Sequence, residues 1–485
     1  MDLVPNSTVP CFPFSLGPGV SKEDLLAQLP SKDCCDYLII QYFSRLSPLY
    51  HILHGPTFQR DYTRLVNNPT DTELSWLALL FIICSLTLNT MEEKDPLLAG
   101  LLSKEPEFQD FAAVARQLRN CAMICLSQDQ FLIRHTMHTL ETLLIMIYGI
   151  ERTWVLLGTA LNIGIAIGCN IKTKPRSMGY IEFERRRRCW AGILLLHTYQ
   201  AIFFRDVRVS TLLDMEPSLP ADVNDCDIRD DMILQPSSQP TQMSVIMFKL
   251  RLFELTSRIC DHLASDAKLD ENRLASFDSL IAEEQSKWDA KFLLDGQPSV
   301  LDAAAYAHWC FMQQYAHRLY LLLHRAFCRP RSGNPPRAES QAKCIASGVA
   351  LLEIYRYFDE LPRLRHYRWY VYGMTSFCAL HGAVAVASCL LMESASVDPA
   401  PYRAIFDSTV VRYEKLRSRS QICAKSYPIL QHLQAMLFSE KLQPANDLGA
   451  DFSSVFDEWV DTVPWLNVDS VNWDAWNDVL NETGQ

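Results

Sequence analysis

An all-α fold is what this sequence predicts: a large helical domain over residues 37–440, with a flexible N-terminal leader (1–36) before it and an acidic, aromatic C-terminal tail (441–485) after it. Apolar segments too long for strands recur along the chain, and no run of strand length alternates apolar with polar residues to compete with them. Hydrophobic residues make up 49% of the chain and aromatic ones 11%, ample for a core at this length.

Taken in order, Pro5, Pro10, Pro13, Pro18 and Pro30, with Ser and Gly between them, predict the leader. From Tyr37 a short helix and the HILHGPTF turn lead into apolar-periodic segments at Leu74 to Leu88, Phe108 to Leu126 and Thr136 to Ile150. Trp76 to Leu88 is apolar throughout but thirteen residues long, short of the ~20 that a bilayer needs, so it reads as a core helix. QPSSQPT at 235–241 is a loop, followed by amphipathic helices near Met243 to Leu263, Asn272 to Phe292 and Ala303 to Phe327. A linker rich in proline and basic residues, Arg329 to Arg337, precedes helices near Ala338 to Asp359, Tyr367 to Met392, Tyr402 to Ser418 and Gln421 to Phe438. Val371 to Met392 is long enough to span a membrane, yet Gly373, Ser376, His381, Gly382 and Ser388 interrupt it, and a buried helix is expected instead.

The stretch from Arg152 to Asp227 organises the rest. Its first helix sets Gly158, Gly164 and Gly168 among large apolar residues, where each costs roughly 1 kcal/mol relative to alanine, and close helix packing is the expected reason for them. Its second helix opens with Glu182 and Glu184, which suit a helix N-terminus. Arg185, Arg186, Arg187 and Arg188 follow at consecutive positions, which at ~3.6 residues per turn sweep nearly the whole circumference. At least one guanidinium must lean inward and needs an anionic or carbonyl partner. Asp222, Asp225 and Asp227 in the loop SLPADVNDCD are the candidates.

Here the chain resembles a known family. An aromatic residue before LLG-x-A, an Ile/Gly-rich turn, the run EFERRRRCW opening an apolar helix, and an "lP-x-D-x-x-D" loop are similar to the fungal-specific transcription factor domain, the middle homology region of fungal zinc-cluster regulators. Tyr42 to Phe58 (YFSRLSPLYHILHGPTF) is similar to that family's opening motif and Tyr315 to Pro330 (YAHRLYLLLHRAFCRP) to its later helix, so the likeness covers Tyr37 to Glu440. The chain departs from the family pattern at His197, where an aspartate is usual, and at Phe204, Arg205 and Asp206, where G-R-P is usual. The resemblance implies a nuclear transcriptional regulator of a metabolic or secondary-metabolite gene cluster. Its helical body would serve homodimerisation, pairing with a DNA-bound partner regulator, or sensing of a small-molecule effector.

Catalytic motifs are missing: there is no G-x-x-x-x-G-K-S/T, G-x-S-x-G or H-E-x-x-H, and no G-x-G-x-x-G after a strand, so no enzyme and no cofactor is expected. The competing expectation is a helical enzyme or small-molecule-binding protein using a cavity in the body. His51 with His54, and His135 with His138, have i,i+3 spacing without a third ligand, and the acidic loop lacks the glycine and closing glutamate of a calcium site. Sixteen cysteines are scattered without C-x-x-C, and the N-terminus has no secretory pattern, so buried reduced thiols are expected. The first 120 residues offer only Cys11, Cys34, Cys35 and Cys84, too few for a two-zinc, six-cysteine cluster. With a net charge of -11, DNA is expected to be reached only indirectly.

The charge concentrates at the end. Residues 446–485 carry nine acidic residues and no Lys or Arg, which leaves 45 basic against 47 acidic residues elsewhere. The same segment holds Phe452, Phe456, Trp459, Trp465, Trp473 and Trp476. Acidic groups that keep large rings solvated until a partner groove accepts them suit an activation segment that recruits transcription coactivators.

Overall fold

Capping side chains set where many of the helices begin. In the computed structural model, which describes residues 19–91, 95–98, 101, 110–149, 154–203, 219–235, 239–264, 269–328, 337–391 and 398–438, Ser21 accepts the Asp24 amide at the start of α1 (Lys22–Ala27) and Ser31 that of Cys34 at the start of α2 (Lys32–Gln41). Both helices start inside the expected leader, and Pro30 falls between them. Leu25, Cys34 and Cys35 on these helices are buried, so this part of the leader is tied to the body by apolar contact.

The fold is all-α. Among the described residues the only paired strands are the two-residue β1 (Leu293–Leu294) and β2 (Gln297–Pro298), joined by Asp295 (φ 50°) and Gly296 (φ 72°). Asp-Gly favours the left-handed conformation that such a tight turn demands. The chain divides into two compact units, Met1–His197 with Val209–Leu250, and Thr198–Arg208 with Arg251–Gln485.

The first unit holds α3 (Gly55–Asn67), α4 (Leu74–Leu88), α5 (Phe111–Gln128), α6 (Met137–Gly149), α7 (Trp154–Ala166), most of α8 (Tyr180–Phe203) and the start of α9 (Ser244–Ala264). Every residue of α4 after Leu74 is buried, as a helix without a polar face requires, and α2, α5 and α6 pack around it. Its hydroxyls stay satisfied in the core: Ser85 donates to the Ala115 carbonyl at 2.6 Å and Thr87 to that of Ile83 at 2.8 Å.

The glycines of α7 have different reasons. A Cβ at Gly164 would lie 2.7 Å from Ile193 Cδ1, so this residue permits close packing on α8. Gly168 follows the helix with φ +77°, and the Cys169 amide returns to the Gly164 carbonyl, a left-handed helix end rather than a packing device. Gly158 faces open space, which corrects the packing expectation for two of the three.

The second unit contains the rest of α8 and α9, then α10 (Glu271–Phe292), α11 (Ala303–His324), α12 (Ala338–Glu360), α13 (Met374–Leu390), α14 (Arg403–Leu416) and α15 (Gln421–Phe438). Asp270 and Asp302 cap α10 and α11. At the α12–α13 crossing, a Cβ on Gly348 would sit 2.6 Å from the Gly382 carbonyl oxygen and one on Gly382 2.7 Å from that of Gly348. The segment weighed as a membrane span is broken at Gly373: a 3-10 helix over Pro362–Tyr372 meets α13 at 83°. All of α13 from Thr375 onward is buried, and no single helix among the described residues is long and apolar enough to cross a membrane.

Candidate functional site: a buried arginine and carboxylate network

The four arginines of α8 point in different directions and each finds an acid. Arg185 forms a two-pronged bond to Glu141 of α6, Nε to Oε1 at 3.1 Å and Nη2 to Oε2 at 3.0 Å, and Nη1 donates to Glu182 at 3.2 Å. Arg186 pairs with Glu182 at 3.0 Å and donates to the Ile167 carbonyl after α7. Arg187 lies 2.8 Å from Glu184 and stacks over Phe183. Arg188 is the innermost. Its Nη1 donates to Asp225 Oδ1 at 2.6 Å and to the Leu53 carbonyl at 3.2 Å, while Nε lies 3.5 Å from Glu184.

Asp225 is the hub of the network. Besides Arg188 it receives His51 Nε2 on Oδ1 at 3.0 Å and the Gly55 amide on Oδ2 at 2.7 Å, and its own amide donates to Gln242 at 2.8 Å. His54 Nε2 reaches the Asp225 carbonyl at 3.2 Å. Burial would raise the Asp225 carboxyl, but His51, Arg188 and the Gly55 amide together hold it well below the usual carboxylate range. Burial lowers both histidines, and for His51 it outweighs the pull of Asp225 and leaves the ring neutral near pH 7. A carboxylate can only accept, so a neutral His51 donates from Nε2 and takes the Ser47 hydroxyl on Nδ1 at 2.6 Å. By the same logic His54 takes the Thr57 hydroxyl on Nδ1 at 2.8 Å.

The other two candidate carboxylates have separate duties. Asp222 accepts the hydroxyls of Thr241 and Ser244, the latter at 3.0 Å, and so ties the loop to the start of α9. Asp227 accepts the Asn224 amide at 3.1 Å and closes a capping box around the short turn Asp225–Asp227. Neither meets an arginine of the run, so the expected partnership is corrected for Asp222 and Asp227. Glu184 helps instead, accepting the Ala221 amide at 3.0 Å; burial pushes its carboxyl up despite Arg188 and Arg187.

The sequence missed the convergence of His51, His54 and Gly55 on Asp225 and the pairing of Glu141 with Arg185. A usable signal existed for Glu141, the one acidic residue in the apolar segment MHTLETLLIMIYG. Beside the network lies a small cleft with a cavity volume of about 10 Å³, room for about one water, lined by His54, Thr57, Asp61, Trp76, His138 and Arg185, among others. That is below the ~300–1,000 Å³ typical of small-molecule sites. In the second unit, the YAHRLYLLLHRAFCRP motif contains a buried His324, which bonds Asp278 at 2.9 Å and Ser340 at 3.1 Å. Burial pushes the His197 imidazole below its ordinary value. Phe204, Arg205 and Asp206, and the tail residues Phe452, Phe456, Trp459, Trp465, Trp473 and Trp476, lie outside the described residues.

Fold and site together define an all-helical scaffold fastened by an internal ion-pair lattice. The chain belongs to the fungal specific transcription factor domain family, which it matches over residues 39–292. It is similar to transcription factor phm2 of Pyrenochaetopsis sp, 24% identical over 479 residues, 89% of this chain and 61% of that protein. It is likewise 24% identical to the Zn(2)-C6 fungal-type transcription factor pigI of Monascus ruber, covering 79% of this chain and 48% of the relative. The equisetin cluster transcription factor eqxF of Fusarium heterosporum is 22% identical, with 80% of this chain and 58% of the relative aligned. The chain thus spans about half to three-fifths of the length of these relatives.

Proposed function

We propose that this chain is a non-enzymatic, nuclear transcriptional regulator of a biosynthetic gene cluster. The observation that carries the reading is family membership, and the relatives whose names specify a cluster, such as the equisetin and aurofusarin factors, support its target class. In this reading residues 37–440 form the regulatory body, which pairs with a second copy or with a DNA-bound regulator and responds to a small-molecule effector. Residues 441–485 recruit coactivators through acidic and aromatic side chains.

The test measures transcripts of biosynthetic genes after deletion and after overexpression of the gene in its own host. Coordinate loss and gain across one contiguous cluster is expected. Unchanged transcripts in both strains would refute the proposal. In a second arm the 485-residue chain is mixed with promoter DNA of the affected cluster; its acidic balance predicts no sequence-selective shift without a partner.

A further inference from the structure

The tight α12–α13 crossing has a chemical by-product. Cys344 lies one turn before Gly348, and Cys389 two turns after Gly382, so each projects from the same helix face as its glycine. With the two backbones drawn together, these side chains converge, and Cys328, just beyond α11, completes a trio. All three thiols are buried, at 1%, 1% and 2% exposure, with their sulfurs within 4.8 Å of one another. Cys328 and Cys344 approach to 3.1 Å. Among the described residues no histidine or carboxylate ligand atom joins this group.

We propose that Cys328, Cys344 and Cys389 form a three-sulfur site for a soft monovalent metal ion, copper(I). Three sulfurs at ~2.3 Å from a central ion stand ~4 Å apart, a spacing reached here by side-chain adjustments of under about 1 Å. Thiolates select soft ions, and structural zinc sites almost always add a fourth protein ligand, which this trio lacks. Binding replaces S–H bonds with S–Cu bonds and releases up to three protons to solvent, with no change of oxidation state. Because binding displaces protons from thiols, copper affinity rises with pH. A bound ion would fasten the end of α11 to α12 and α13.

The full chain is loaded anaerobically with copper(I) against a competing copper(I) chelator, in parallel with zinc(II). One copper per chain in a three-sulfur environment by X-ray absorption is expected. Cys328, Cys344 and Cys389 should then be shielded from alkylation in partial denaturant, as mapped by peptide mass spectrometry. Cys389→Ala should lower affinity at least tenfold, and the triple alanine variant should lose the site. Should that variant not fold, the alkylation map of the unaltered chain decides. No retained copper, copper that shields other cysteines instead, equal retention by Cys389→Ala, or preferential retention of four-coordinate zinc would each overturn the assignment.

Discussion

Replacing Arg188 with alanine should be among the most damaging single changes in the first unit. The Arg188 side chain is 0% exposed and that of its partner Asp225 6%, with 2.6 Å between Nη1 and Oδ1. Truncation leaves the carboxylate in the core with only His51 and the Gly55 amide, and breaking such a pair costs about 3–5 kcal/mol. The Leu53 carbonyl loses a donor as well, worth ~1 kcal/mol. The sum, roughly 4–6 kcal/mol, corresponds to a fall of roughly 10–20 °C in the unfolding midpoint of a unit this size. Arg186→Ala is the internal control: its side chain is 22% exposed and that of Glu182 34%, so the loss should stay within about 1 kcal/mol. Arg185→Ala should fall nearer Arg188 because Glu141 is buried. The assay is thermal unfolding of single alanine variants at Arg185, Arg186, Arg187 and Arg188, with Arg188→Met/Asp225→Asn as a cycle in which removing both charges recovers part of the loss. Equal, mild effects at all four positions would refute the buried-network argument, as would an Arg186 variant as damaged as Arg188→Ala.

Stability should fall as pH drops from 7 to 5, before most carboxylates titrate, because burial depresses His51, His54, His381 and, to about 4, His317 in the folded state. A depressed histidine contributes stability above its unfolded value of ~6.5 and loses it as pH falls toward the folded value, so His317 alone is worth roughly 2 kcal/mol across this window; a flat unfolding midpoint from pH 7 to 5 would contradict it. Glu184, raised by burial, acts in the opposite sense, its contribution rising as pH falls toward the ordinary glutamate value. Among the described cysteines, exposed Cys226 should react first with a thiol reagent, though more slowly than a free thiol because desolvation and Asp227 raise it; faster labelling of a buried cysteine would be inconsistent with the packing. Fused to an unrelated DNA-binding domain, residues 446–485 should activate a reporter, and alanine at Trp459, Trp473 and Trp476 should abolish the signal, whereas amides at three acidic positions should only reduce it. Full activity without the tryptophans would argue against aromatic recruitment.

Legibility tracked the range of the determining interaction. Gln421–Phe438 was readable to both ends because its apolar period is local; in the structure the Ser420 hydroxyl just before it accepts the Cys423 amide at 3.2 Å. The Asp-Gly at 295–296 is equally local and marks the hairpin, but four paired residues are too few for an alternating pattern to register. The choice of Asp225 over Asp222 and Asp227 could not be read from the loop, since it is made by His51 and Gly55, 174 and 170 residues away. Buried charge in the arginine run followed from helix geometry alone. Two of its partners, Glu182 and Glu184, lie on the same helix, three or four residues before the arginines they pair with, where they serve both the helix dipole and the ion pairs.

The hub also bears on how the chain comes to fold. Arg188 has no buried counter-charge from the loop until Asp225 is made, and Asp225 is not fully bonded until Gln242 is in place. During synthesis, the helices through α8 therefore emerge with a guanidinium destined for the core and no Asp225 to receive it. The opening turn at Ser47–Gly55 likewise waits for a residue far downstream. Such long-range closure is slow compared with helix formation, which needs only near neighbours. Consolidation of the first unit is thus set by the arrival of a short acidic loop, and a nascent chain halted between Arg188 and Asp225 should remain loosely packed and dependent on chaperones.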